Sequence, residues 1–254
     1  QYMPRFAGDI LPQQNIGRAL SLADKLDNLA ATFLRGLIPT GSQDPFALRR
    51  QTIGAVNILT DGQIHWDIRK GIAAALALLP GEENAKNTAA SQIEDFFRQR
   101  IKAIMLDEGI AYDIIDAVLA GPVDDVYALF LKARSMAASH LKDEADLRQA
   151  VTRLSNITKG KSGGDVDPSL FQEDVEKKLQ AAFDDVSAKA LPLFAEYKYG
   201  EALPALKELT QPINDYLDNV MVMVDDEAVK NNRISQLLKT LALFKHWGDF
   251  SKLV

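Results

Sequence analysis

Apolar residues recur along this chain at three- and four-residue intervals, and that spacing marks one buried face of a helix. Between about Asn15 and Arg35 the stripe is Ala19, Leu22, Ala23, Leu26, Leu29, Ala30 and Phe33, and Gly36 offers a left-handed stop. Asp44 followed by Pro45 reads as an N-cap and first helical position, opening a helix whose apolar side is Phe46, Ile53, Val56 and Leu59 and which Asp61-Gly62 breaks. Further helices are predicted over about 67–79, 84–107, 111–120, 123–138 and 143–157, with Pro80-Gly81 and Gly121-Pro122 as the clearest seams. The segment 158–166 carries three glycines and reads as a mobile loop. Asp167-Pro168 predicts the start of a long helix to about residue 190, and shorter helices follow at about 200–210 and 213–219. The last helix, 226 to about 246, opens on Asp225, Asp226 and Glu227 and is striped by Ile234, Leu237, Leu238, Leu241 and Phe244. Sustained strand alternation is missing. Val220 to Val224 is the one β-like run, and at five residues it reads equally as a buried connector. The pattern predicts an all-α fold of two packed helical bundles.

Composition narrows the class. The 254 residues suffice for one large or two small domains, and 47% hydrophobic with 25% charged residues is enough for a real core. The absence of cysteine excludes disulfides and thiolate zinc sites and fits a reducing cytosol. No apolar run approaches the ~18 residues of a membrane span. The opening Gln1-Tyr2-Met3-Pro4-Arg5 is neither an initiator methionine nor a signal peptide and reads as the cut edge of a longer chain. The formal charge of −6 argues against a general nucleic-acid coat, though not against a local basic patch.

Nothing in the sequence assembles a catalytic centre. His65, His140 and His246 are far apart, so neither a zinc site nor a Ser-His-Asp triad has support. Gly160-Lys161-Ser162 lacks the earlier glycine of a Walker loop, since residue 155 is serine, and it follows a helix instead of a strand. Charge is more informative. Between Leu147 and Gly164 lie Arg148, Arg153, Lys159 and Lys161 and no acid. Leu147, Ala150, Val151 and Leu154 make the buried side of that helix. Arg148, Gln149, Thr152, Arg153 and Asn156 fall opposite, continued by Lys159. Such a face suits a phosphate backbone and unstacked bases, and suits equally a plain solvated surface. Arg49 and Arg50 form a second pair for phosphate or an acidic partner, against ordinary ion-pairing arginines.

Two stretches carry a family resemblance. Val220 through Arg233, with its Met-Val-Met run, its Asp225-Asp226-Glu227 triplet and the polar Lys230-Asn231-Asn232-Arg233 turn, resembles the C-terminal signature of the β subunit of bacterial tetrameric glycyl-tRNA synthetase. Residues 37–50 resemble the same family, and similarity runs from Tyr2-Met3-Pro4-Arg5-Phe6-Ala7-Gly8-Asp9 to Asp249-Phe250-Ser251-Lys252-Leu253. Ala23-Asp24-Lys25-Leu26-Asp27 is similar to the last motif of HD phosphohydrolases, in which the aspartate at the Asp24 position binds metal. The histidine and His-Asp ligands of that family have no counterpart, since no histidine precedes His65. Val151 to Ile157 resembles the first helix of DALR anticodon-binding domains.

The resemblance implies the rear of an HD-like domain over 1–80, a connecting helical region over 81–140 and a DALR-like anticodon-binding domain over 141–254. It implies a cytoplasmic tRNA-binding part of glycine–tRNA ligase that works with an α subunit in a heterotetramer of two α and two β chains. ATP is used by that α subunit, so no cofactor, metal or catalytic residue is expected in this chain, and neither DNA nor membrane is a partner. Every glycine anticodon ends in two cytosines, whose reading needs both acceptors and donors. The candidate tRNA-binding residues are Arg148, Thr152, Arg153, Asn156, Lys159, Lys161, Lys230, Asn231, Asn232, Arg233, Arg49 and Arg50, with Glu144 and Asp146 as further acceptors. A helical scaffold that never touches RNA and an HD-type hydrolase are the competing classes.

Overall fold

The computed structural model describes residues 3–6 and 8–254; Tyr2 and Ala7 of the N-terminal family stretch lie outside them. Among the described residues the secondary structure is helical throughout, with eleven α-helices, short 3-10 turns and no strand. The chain divides into two compact units, residues 1–110 with 122–130 and residues 111–121 with 131–254.

The first unit is built on α1 (Asn15–Leu34), α2 (Leu48–Asp61), α3 (Ile68–Ala77) and α4 (Glu83–Asp107). Of the α1 stripe, Leu22, Leu26, Leu29, Ala30 and Phe33 are buried, whereas Ala19 and Ala23 are exposed and Ser21 and Lys25 are buried instead; Phe33 meets Phe96 of α4 edge-on at 5.3 Å. Gly36 takes the left-handed conformation expected of a helix stop, φ 71°. α4 packs against α1, α2 and α3, so the connecting region anticipated from residue 81 begins as an integral wall of this bundle.

The start of α2 differs from expectation. Asp44 and Pro45 form a turn, and the helix begins three residues later, behind a left-handed Ala47 at φ 54°. Asp44 still caps it: its carboxylate accepts from the N–H groups of Leu48 at 2.8 Å and Arg49 at 3.0 Å. The cap signal was sound, and its offset was not readable from spacing. α3 follows the sequence more literally, with Asp67 accepting from the Arg69 N–H. Gly71 on α3 is required by packing, because a Cβ there would stand 2.2 Å from the Trp66 ring.

The second unit comprises α5 (Tyr112–Val118), most of α6 (Val126–Ala138), α7 (Ala145–Thr158), α8 (Asp174–Ala195), α9 (Leu203–Lys207), α10 (Thr210–Asn219) and α11 (Glu227–Lys245). Its core contains Ala133 and Met136 of α6, the α7 stripe, Tyr216, and Leu237, Leu241 and Phe244 of α11. Trp247 closes one end, fully buried, with its indole N–H donating to the Lys132 carbonyl at 3.2 Å.

The helix expected from Asp167-Pro168 is corrected: those residues make only a 3-10 turn, Pro168–Leu170, and α8 starts at Asp174. A reciprocal capping box fixes that later start, Glu173 taking the N–H at its third position and Glu176 reaching back to the Glu173 N–H at 2.7 Å. α8 then continues past Pro192 to Ala195. The β-like Val220–Val224 run is an extended connector, not a strand. Its alternation is real, with Val220 and Val222 buried and Met221 and Met223 exposed.

Candidate nucleic-acid interface

The basic face of α7 resolves into two groups. Arg148 is half-buried and donates to the Leu253 carbonyl at 3.3 Å, and the Thr152 hydroxyl donates back to the Arg148 carbonyl at 2.8 Å. Arg153 donates to Asn214 Oδ1 at 2.8 Å and ion-pairs with Asp218, both on α10. Glu144, one expected acceptor, is paired with Lys207 at 2.6 Å. These side chains tie α7 to its own unit. Asn156 and Lys159, at the far end of the helix, are exposed, and Lys161 places its ammonium 2.9 Å from the Met223 sulfur. At 1.5 Å rise per residue, Lys159 lies about 16 Å along the axis from Arg148, so the sequence face is not one contiguous patch.

The polar stretch 230–233 lies in the first turns of α11, within the helix expected from 226, and Asp226 caps that helix through the N–H groups of Ala228 and Val229. Helical geometry divides them between two faces. Lys230 is half-buried and paired with Glu227, and Asn231 is exposed. Asn232 and Arg233 are 5% and 3% exposed and serve the interior. Asn232 accepts from the Asp167 N–H at 2.7 Å and donates to the Asp167 carbonyl at 3.0 Å. Arg233 donates to Glu176 Oε1 at 3.0 Å, to the Met221 carbonyl at 2.9 Å and to Gln172 Oε1 at 3.2 Å.

Glu176 is fully buried. Desolvation pushes its carboxyl upward, but Arg233 and the N–H groups of Glu173 and Gln172 outweigh this and hold it below the ordinary glutamate range. Nearby, burial and then the Glu176 charge drive the Tyr216 phenol upward. Asn232 and Arg233 therefore anchor the loops on either side of α11 and offer no free donor to a ligand.

Arg49 and Arg50, in the first unit, close their own neighbourhood. Arg49 donates to the Gly41 carbonyl at 2.7 Å and Arg50 to the Arg5 carbonyl at 3.3 Å. Asp24 stands on α1 beside the buried Lys25, whose ammonium donates to Ser21 Oγ at 2.7 Å and is pushed downward by desolvation. Among the described residues no group of three or more His, Cys, Asp or Glu side chains converges on a common point, and no helix is long and apolar enough to cross a membrane.

What the fold does bring together is one surface of the second unit. The loop after α7 lies along α11, with the Gly164 N–H donating to Ser235 Oγ at 2.9 Å, and Lys161 reaches the 220–224 connector. Lys161 there touches Met223, and Met221 and Met223 are 74% and 57% exposed; Asn156, Lys159 and Asn231 are exposed on the same unit. Cations over an apolar, polarisable patch suit a strand of phosphates with unstacked bases. Period-two alternation in 220–224 carried the signal for the two methionines, but a single five-residue run does not say which side faces water.

Comparison with known proteins gives concordant results. Residues 1–120 match the family described as glycyl-tRNA synthetase beta subunit, and residues 147–248 match the DALR anticodon binding domain. The chain is 41% identical over its full length to the glycine–tRNA ligase beta subunit of Clostridioides difficile (strain 630), covering 37% of that protein. It is 37% identical over its full length to the counterpart in Desulforamulus reducens and 40% identical to that of Aliivibrio fischeri, again covering 37% of each. The chain thus spans a little over a third of the length of the curated relatives it matches.

Proposed function

The chain belongs to the glycyl-tRNA synthetase beta-subunit family, and from that premise we propose that it is a tRNA-binding portion of glycine–tRNA ligase whose second unit meets the anticodon of glycine tRNA. One observation carries the reading. The DALR match over 147–248 falls on the unit in which Lys161 reaches the exposed Met223 and in which Lys159, Asn156 and Asn231 are exposed. In this reading the lysines meet phosphates, Asn156 and Asn231 offer both donors and acceptors to base edges, and the methionines pack on base faces. Arg148, Thr152, Arg153, Asn232 and Arg233 act behind that surface by fixing the helices and loops that present it. Arg49 and Arg50 mark a secondary basic site on the first unit.

Aminoacylation itself is assigned to the complete ligase, with glycine activation by ATP on a separate α subunit in an assembly of two α and two β chains, in the cytoplasm. In this reading the chain contributes tRNA binding, and the chemistry of glycine activation lies on the other subunit. Titration of the chain with labelled glycine tRNA across a salt series tests the proposal. Affinity that falls steeply with salt is expected, and Lys159→Ala with Lys161→Ala should flatten the slope by about two. Salt-independent or absent binding would favour a scaffold that does not touch RNA.

A further inference from the structure

Between the loop after α7 and the outer side of α11 lies a cavity of about 360 Å³, lined by Gly163, Gly164 and Asp165 on the loop and Ser235, Leu238 and Lys239 on the helix. Its walls are fixed. A Cβ on Gly163 would come within 3.0 Å of the Ser235 Cα and the Leu238 Cδ1, so the loop backbone rests directly on α11. Ser235 Oγ accepts from Gly164 and donates to the Asn231 carbonyl at 2.8 Å, and Asn232 clamps Asp167 from both sides. The hydroxyl of the lining is therefore committed to structure.

Two charged side chains on the rim are not so committed. Asp165 is exposed and takes part in no hydrogen bond or ion pair among the described residues. Lys239 is exposed, with its ammonium 5.2 Å from the Phe183 ring. Leu238 adds an apolar wall. An acceptor, a cation and an apolar face around a small cleft match a flat heterocycle with polar edges. Lys161, only two residues upstream of Gly163, belongs to the lysine group on the adjoining surface.

We propose that this cavity receives an unstacked cytosine of single-stranded RNA, an inference that rests on the tRNA-binding reading of the second unit. Asp165 accepts from the exocyclic amine, Lys239 donates to the ring nitrogen or carbonyl, and Leu238 packs on the ring face. Uracil presents a carbonyl where cytosine has its amine, so its oxygen would face the Asp165 carboxylate. The carboxylate thereby becomes the specificity-determining group, and an acidic side chain at an RNA surface acquires a purpose.

The experiment measures binding of the chain to RNA hairpins bearing the glycine anticodon loop and to hairpins with either cytosine replaced by uracil. Wild type should prefer one cytosine position by roughly tenfold, the scale of one good base-edge contact. Asp165→Asn should bring that preference to within about twofold, whereas Lys159→Ala with Lys161→Ala should weaken all hairpins alike. Wild-type binding without cytosine preference, or Asp165→Asn with the preference intact, overturns the cavity assignment and leaves the tRNA reading standing. Failure of wild type to bind any hairpin or glycine tRNA removes both. Photocrosslinking of 5-iodocytidine at the preferred position gives a second readout independent of any variant. Adducts are expected on residues 163–166 or 235–239, and adducts confined elsewhere refute the assignment.

Discussion

Replacing Arg233 with methionine should destabilise the second unit by about 3–5 kcal/mol, the scale of breaking a buried ion pair from one side. The contacts support the same figure. One charge-assisted bond to Glu176 contributes ~1.5–3 kcal/mol, and the bonds to the Met221 carbonyl and Gln172 about 1 kcal/mol each. Methionine fills most of the volume, so the loss is electrostatic: Glu176, fully buried, is left without its cation. For a unit of about 135 residues this corresponds to a melting temperature lower by roughly 10–18 °C. Thermal unfolding followed by far-ultraviolet circular dichroism measures it. The double variant Arg233→Met, Glu176→Gln should recover a substantial part, because no buried charge then remains. A shift under about 2 °C for Arg233→Met would refute the reasoning, and so would a double variant no more stable than the single one.

Glu176 also sets a pH dependence. Burial raises its carboxyl, but the Arg233 and backbone hydrogen bonds leave it depressed, so its contribution is complete above the unfolded value of about 4.3 and is lost as pH falls through the folded one. Wild type should therefore lose stability below about pH 4 more steeply than Glu176→Gln does. Leu241→Ala should cost about 2–5 kcal/mol, read by denaturant unfolding, since its side chain is buried on α11. Gly71→Ala should cost about 1–3 kcal/mol, because the new methyl meets Trp66; an unchanged midpoint would mean that the ring moves freely. Asp44→Ala should cost about 1 kcal/mol through the lost α2 cap. Glycine-dependent ATP–pyrophosphate exchange by the chain alone should be undetectable, and measurable exchange would contradict the assignment of that chemistry to another subunit.

The helices and the core stripes were legible in the sequence because three- and four-residue periodicity reports burial directly. The α11 stripe of Leu237, Leu241 and Phe244 is an example. Helix starts were less so. At Asp44-Pro45 and Asp167-Pro168 the cap-then-proline signal is genuine, yet both aspartates serve turns, and α8 answers to the capping box at Glu173 and Glu176. The candidate surface was only partly legible. Spacing put Asn232 and Arg233 in a polar run, and polarity does not say whether a side chain faces water or a buried carboxylate. Arg148 and Arg153 read as a basic face, but their partners, Leu253 and Asp218, lie 105 and 65 residues away. Pairing at that range has no local signature. Lys159, at the end of the helix, stays exposed, while Lys161 is half-buried against Met223, 62 residues away.

Hydrogen exchange of the chain with and without glycine tRNA tests the central claim most directly. Apart from Lys161, Gly164, Asp167 and Val220, whose N–H groups are bonded, the amides in the loop after α7 and in the 220–224 connector lie outside helical hydrogen bonding, so they exchange quickly until a ligand covers them. Bound tRNA should slow exchange over 159–167 and 220–231, while α5 and the first unit's α3 stay unchanged. Protection confined to residues 1–110, or no protection with tRNA demonstrably bound, would contradict the assignment of the anticodon to the second unit.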